Sequence, residues 1–516
     1  MEHVNQEIIS KREKENIMKK LKKLFAVMLS LIMVLAMGIT SFAATGVTPT
    51  ENDAKEVTIS NVETDAKITA YQIIDAQYNA NGFVGYVWAT GMTNAGQTVS
   101  DPAAAVTSDL VTTLARNTTG LTKIDNVVSG QTKLPVGTWM LLVTPPANNP
   151  AKVYNPMVVS VYYSESGSDS EMAAGSVDAN SNWTLVTTNA YAKSSEIEVT
   201  KTVDTADEKA AVGTDVHFTI TGTIPSYSGE YTEATYALTD TLVNGLTFGD
   251  PATAPVAPVV KVGGSVVGEE AYELVNVTAT TFKVNFKSNY VLGLAGKSAT
   301  ERAVEITYTA KVTAEAVTRL GENKVELNYT TKPGEENGSK TDEAFVATFS
   351  LDNVLEKVNA DKAALAGAEF TLYDDAALTH EVDRYTTLAD GDIEFKGLDG
   401  DKTYYLKETK APRGFSLNDT VYTINFTNIV KDSTGKKVVS YDVEITYTDA
   451  TGNVVKTTTI EYGSPATEFV DKVVNTQISS LPSTGGIGTT IFTIVGCGIM
   501  IAAAGLFFAS RRKENR

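Results

Sequence analysis

Between about residue 44 and residue 476 apolar and polar positions alternate in short runs, among them Val153–Tyr163, Asp215–Ile220, Thr281–Phe286, Val304–Val312 and Val438–Tyr447. A period of two is that of a strand with one buried face. Gly, Asn, Asp and Pro interrupt the runs roughly every ten residues, the spacing of antiparallel sandwiches. Short helical inserts are expected around Asp101–Ala115 and Ala314–Leu320. Two polar stretches, Thr188–Glu196 and Thr330–Asp342, read as joints. The expected fold is all-β: immunoglobulin-like sandwiches in tandem at 44–192, 193–342 and 343–478, making an elongated rod.

Two segments break the pattern. Lys19–Lys23 precedes an apolar run, Leu24–Ile39, and then Ser41-Phe42-Ala43-Ala44. A positive stretch, an apolar core and small residues at alternate positions are the parts of a secretory signal peptide. It is expected at 1–43 with cleavage between Ala43 and Ala44, and Met18 is the better start because Met1–Ile17 is charged. At the other end Gly486–Ser510 carries no charge and is followed by Arg511-Arg512-Lys513. About 20 apolar residues cross a bilayer, and basic flanks stay on the cytoplasmic side.

Charge and cysteine content narrow the class. The 516 residues carry a formal charge of -19, with 43 basic against 62 acidic side chains. The basic residues gather at the two ends, so the middle is more acidic still. An acidic body argues against nucleic acid as a partner. The single cysteine, Cys497, lies in the C-terminal apolar run, which leaves the exported part without a thiol and without disulfides. His3, His217 and His380 are far apart, so no metal set and no cofactor are expected. No nucleophile–base pair suggests an enzyme acting on other molecules.

The C-terminal span is preceded directly by Leu481-Pro482-Ser483-Thr484-Gly485. Motif, span and basic tail in that order (479–516) resemble the cell-wall sorting signal of Gram-positive surface proteins. The resemblance implies that sortase cuts between Thr484 and Gly485, holds Thr484 as a thioester and passes the acyl group to an amine. The helix is then a transient membrane retention device, and the mature protein is secreted and wall-anchored.

The last module opens with Leu355-Glu356-Lys357-Val358, continues with Leu365–Tyr373, carries Tyr405-Leu406-Lys407-Glu408-Thr409-Lys410-Ala411-Pro412-Arg413-Gly414-Phe415, and closes with Val473-Val474-Asn475. It resembles the SpaA-like, collagen-adhesin B-type domain of pilins and adhesins, with Phe415 where that family usually has Tyr. The resemblance implies an internal isopeptide bond between Lys357 and Asn475, promoted by Glu408. Strand periodicity supports the placement separately: Leu355 and Lys357 share a face, as do Leu406 and Glu408, and Val473 and Asn475. Burial would favour a neutral amine and a protonated acid. The amine then attacks the carboxamide, and ammonia leaves.

The middle module, with Val199-Thr200-Lys201-Thr202-Val203, Val212–Phe218 and Leu238-Thr239-Asp240-Thr241-Leu242, resembles the collagen-adhesin A-like isopeptide domain. There Lys201 is the implied nucleophile and Asp240 the acid. Two asparagines lie on the last strand; Asn323 alternates with Val325, Leu327 and Tyr329, whereas Asn328 falls in with Lys324 and Glu326, so Asn323 is the partner chosen. In the first module Lys67–Ile73 and Val153–Val159 look like N-terminal pilin domains, without a convincing triad; whether it holds a bond stays open.

Backbone pilins carry a linking lysine, typically in Tyr-Pro-Lys-Asn, near the end of the first domain. Here Tyr191-Ala192-Lys193-Ser194 matches at Tyr191 and Lys193, and Lys152, beside Tyr154-Asn155-Pro156, is the runner-up. The whole is similar to a sortase-assembled backbone pilin: a structural subunit, not an enzyme, polymerised from Thr484 to Lys193 of the next copy. Its expected partners are sortase, other copies of itself and peptidoglycan, with accessory pilins and host surface ligands as further candidates. The alternative is a monomeric wall-anchored adhesin or accessory pilin.

Overall fold

Alternation along the strands becomes three buried cores in chain order. The computed structural model describes residues 46–147, 150–166, 168–249, 253, 256–333, 338–478 and 488–514. The signal segment with Ala43 and Ala44, and the sorting motif Leu481, Pro482, Ser483, Thr484 and Gly485, lie outside the described residues.

The first core is built on a sheet in which Gly82–Trp88, Lys67–Asn79, Gly137–Thr144, Met157–Glu165 and Trp183–Thr187 lie side by side. Trp139, Tyr163 and Phe83 fill its centre. The expected helical insert is present in two pieces, Pro102–Ala105 and Ser108–Arg116. The second starts at Thr107, whose hydroxyl accepts from the Leu110 amide at 3.2 Å, an N-cap, and it buries Val111 and Ala115. The other insert is a single 3₁₀ turn, Ala314–Val317.

The middle core lies between two sheets. One runs Val199–Val203, Asp215–Thr223, Ala303–Val312, Val259–Val262; the other runs Thr281–Phe286, Tyr236–Val243, Gly321–Tyr329, Gly338–Val346. Along Gly321–Tyr329 every second residue is buried. The third core rests on a sheet containing Glu369–Tyr373, Tyr404–Lys410, Val421–Lys431 and Val438–Asp449. Beside it two further strands of that module, Leu355–Asn359 and Asp471–Asn475, pair in parallel.

The joints differ from expectation. Val153–Tyr163 is two strands, because Asn155-Pro156 breaks it; proline has no amide to give a ladder. Lys152–Tyr154 turns away to pair with Ser194–Glu196, while Met157–Glu165 stays in the first sheet. The stretch 188–196 is therefore built into structure: Ala190–Tyr191 also pairs, in parallel, with Ile59–Ser60. Likewise the strand Gly338–Val346 runs straight through the boundary expected at 342/343, with Ala344 and Val346 in the middle core and Ala347 in the third.

Contacts across the joints are specific. The Tyr329 hydroxyl donates to the Pro150 carbonyl at 2.6 Å. The Val212 amide donates to the Gly397 carbonyl at 2.9 Å, and the Gly400 amide to the Lys209 carbonyl at 2.9 Å. Gly397 has φ +74°, and a Cβ there would come within 2.5 Å of Val212, so glycine is required on both counts. The C-terminal helix, Gly488–Glu514, contains a span, Ile491–Arg511, of mean hydropathy 2.3 that packs against nothing in the described residues.

Candidate functional site

In the third module the inward positions of three strands converge. Lys357, Glu408 and Asn475 are each at most 1% exposed. The Lys357 ammonium contacts Oδ1 of Asn475 and lies 3.3 Å from Oε2 of Glu408. Asn475 Nδ2 donates to Oε1 of Glu408 at 2.8 Å, and the Asn418 amide donates to Oε2 at 2.9 Å. Burial outweighs the pull of Glu408 and lowers the lysine from 10.5 to about 8. The amine nitrogen, the carboxamide and a carboxyl that touches both thus share a dry pocket, the arrangement an amide-forming condensation needs.

The middle module gathers Lys201, Asp240 and Asn323, all buried, but in another geometry. Lys201 lies on one sheet, and Asp240 and Asn323 lie on neighbouring strands of the other. The Lys201 ammonium contacts Oδ2 of Asp240 and the hydroxyl of Tyr308. Tyr308 donates to Oδ2 of Asp240 at 2.6 Å and accepts from Nδ2 of Asn323 at 2.8 Å. Oδ1 of Asp240 and Oδ1 of Asn323 are buried without a partner among the described residues. Burial pushes Lys201 down and Asp240 up, so it favours moving the proton from amine to acid. Asn328, by contrast, is only half-buried.

Sequence reasoning passed over Tyr308, although its signal was there: in Ala303–Val312 it shares the inward face with Val304, Ile306, Ala310 and Val312. A lone tyrosine among apolar neighbours reads as core. Sequence reasoning also passed over Asp342, whose Oδ2 accepts from the Lys201 amide at 2.7 Å while Oδ1 pairs with Lys436. That carboxylate ties the lysine-bearing strand to the third module.

The two lysines at the first joint are neighbours on one ribbon. Asn155, beside Lys152–Tyr154, donates its amide to the Lys193 carbonyl at 3.0 Å. The Lys193 side chain is exposed, and its ammonium has no partner among the described residues. Lys152 is 17% exposed; its ammonium donates to Oδ1 of Asn61 at 2.8 Å and lies 3.7 Å from Glu196. Against the expectation of no metal-ligand grouping, Asp204, Asp207 and His217 come together at the surface. The histidines are indeed far apart in sequence, but His217 meets two aspartates rather than another histidine. Asp207 already accepts from His217 through its amide at 2.7 Å and pairs with its Nδ1 at 2.9 Å.

Comparison with known proteins adds to this geometry. Residues 352–442 match a prealbumin-like fold domain, SpaA; residues 52–194 match the T6 antigen Ig-like domain; residues 473–516 match the LPXTG cell wall anchor motif. The trypsin-resistant surface T6 protein of Streptococcus pyogenes serotype M6 is 27% identical, over 94% of this chain and 99% of its own. The solved T6 backbone pilin of the same organism has this fold, with a TM-score of 0.58 and 21% identity over 84% of this chain and all of that one. The full-length major pilin SpaD of Corynebacterium diphtheriae aligns over 84% of this chain and 96% of its own, at 16% identity and a TM-score of 0.45. The matched anchor motif takes in the C-terminal helix and the five residues Leu481–Gly485 before it.

Proposed function

We propose that the chain is the structural backbone subunit of a wall-anchored pilus, that it polymerises through an amide between Thr484 of one copy and Lys193 of the next, and that each copy is braced by two internal isopeptide bonds, Lys357–Asn475 and Lys201–Asn323. The bracing rests on one observation above all: a lysine amine touching an asparagine carboxamide inside a closed core, with Glu408 against both. In each case the amine nitrogen attacks Cγ of the asparagine, the C–N bond of the carboxamide breaks, and ammonia leaves with the proton the amine releases. Glu408 and Asp240 polarise the carbonyl and carry protons. The products are a secondary amide in place of a buried charge and its counter-charge.

The modules 44–192, 193–342 and 343–478 then work in series, and each internal bond closes a loop of about 100 residues, worth about 4–5 kcal/mol if it acts as a disulfide of that length would. Such bracing accords with the trypsin resistance in the name of the streptococcal relative.

For the link between copies, sortase supplies Thr484 as a thioester. The neutral amine of Lys193 forms the C–N bond, the C–S bond breaks, and the departing thiolate takes a proton from the amine. A head-to-tail bond of this kind does not close on itself and so gives a filament. Lys193 suits the part because its amine is open to solvent, whereas that of Lys152 is held. A denaturing gel of boiled wall extract tests it, wild type against Lys193→Ala. The expected result is a high-mass ladder that collapses to monomer in the variant; a ladder in both would move the link to another lysine.

A further inference from the structure

We infer that Asn61 decides which of the two neighbouring lysines accepts the next subunit, by presenting Lys193 and occupying Lys152. This rests on the Thr484–Lys193 linkage proposed above. Asn61 ends the short strand Ile59–Ser60 and holds φ 64°, a left-handed conformation that asparagine tolerates better than most residues. That turn aims its carboxamide at the ribbon carrying both lysines. Nδ2 donates to the Ala192 carbonyl at 2.7 Å and to the Ser194 hydroxyl at 3.3 Å, the residues on either side of Lys193. Oδ1 accepts from the Lys152 ammonium at 2.8 Å.

One side chain therefore does two things. Its donor end pins the backbone from which Lys193 projects, while Ala192, fully buried, turns the lysine outward. Its acceptor end engages the only other ammonium described on that ribbon. A lysine must shed its proton and reach the thioester carbon to react. An amine hydrogen-bonded to a carboxamide and partly covered is poorly placed to do either, and an open one is well placed. Asn61 is a positioning residue: it touches neither the acyl group nor the reacting nitrogen of Lys193.

The test maps branched peptides in polymers released from the wall, for wild type, Asn61→Gly and Asn61→Asp. Glycine and aspartate both accept the left-handed backbone. Wild type should show Thr484 joined to Lys193. Asn61→Gly releases both ends, and the share of branches at Lys152 should rise about tenfold or more, the size of a lost hydrogen bond to a charged group. Asn61→Asp keeps an acceptor for Lys152 and loses the donor; its polymer yield should fall while the branch stays at Lys193. A role confined to stability would lower yield in both variants and leave the branch position unchanged. Branches exclusively at Lys193 in Asn61→Gly polymers would overturn the inference, as would Lys152 branches in Asn61→Asp. A wild-type branch at another lysine would instead overturn the linkage on which it rests.

Discussion

The two buried lysines have the same kinds of neighbour in different order. In the third module the amine of Lys357 is already against the carboxamide of Asn475, and Glu408 bonds to both. In the middle module Tyr308 stands between: it takes the Asn323 amide as donor, gives its own proton to Asp240 and touches Lys201. Parallel strands bring Lys357 and Asn475 side by side, whereas Lys201 must meet Asn323 across the gap between two sheets. Burial lowers both lysines and raises Asp240, while the hydrogen bonding around each amine differs. On the proposed chemistry the third module is poised, and the middle one needs the tyrosine hydroxyl to give way.

The comparison breaks most visibly when either acid is removed. Glu408→Ala should retain one molecule of ammonia and Asp240→Ala the other, each independently, with stability falling by about 4–5 kcal/mol for the lost loop closure. Intact mass and thermal melting read both; loss of both bonds from either substitution would show that the sites are coupled. Tyr308→Phe comes next. It frees the Asn323 amide, and the variant should still lose two molecules of ammonia at completion, with the middle bond forming sooner in a mass time course after cell-free synthesis. The cost to folding is about 1–3 kcal/mol, from one hydrogen bond fewer at a buried carboxylate. A permanently missing bond would instead make the hydroxyl part of the proton path.

The remaining test is the effect of pH on Asn475→Ala, which keeps Lys357 as a free amine. Its folded value of about 8 lies below the 10.5 of an exposed lysine. Between those values the unfolded chain binds a proton that the folded one has lost, so stability should rise with pH from about 8 toward 10.5 and be lowest below 8. Wild type, with that nitrogen in an amide, should show no such rise in denaturant melts. A rise of equal size in wild type would mean that the amine is free there as well.

Much of this was readable in the chain because strands expose it. Alternation puts Lys357, Glu408, Asn475, Lys201, Asp240 and Asn323 on buried faces, and each is buried. Two things were not readable. Tyr308 has the pattern of a core aromatic, and only the packing of one sheet on the other shows what its hydroxyl meets. The joints read as polar linkers because Ser, Thr, Lys and Glu dominate them, yet Ser194–Glu196 and Gly338–Val346 are paired strands. Pairing is a property of the partner strand, which local composition does not contain. Asn61 belongs with them: its contacts reach residues far along the chain.

Intact-mass analysis of the wild-type ectodomain, followed by peptide mapping, decides whether both lysines become amides within one chain. The expected mass is two molecules of ammonia below that of the sequence, with cross-linked peptides joining Lys357 to Asn475 and Lys201 to Asn323. The full sequence mass would contradict it and leave both lysines as buried ion pairs.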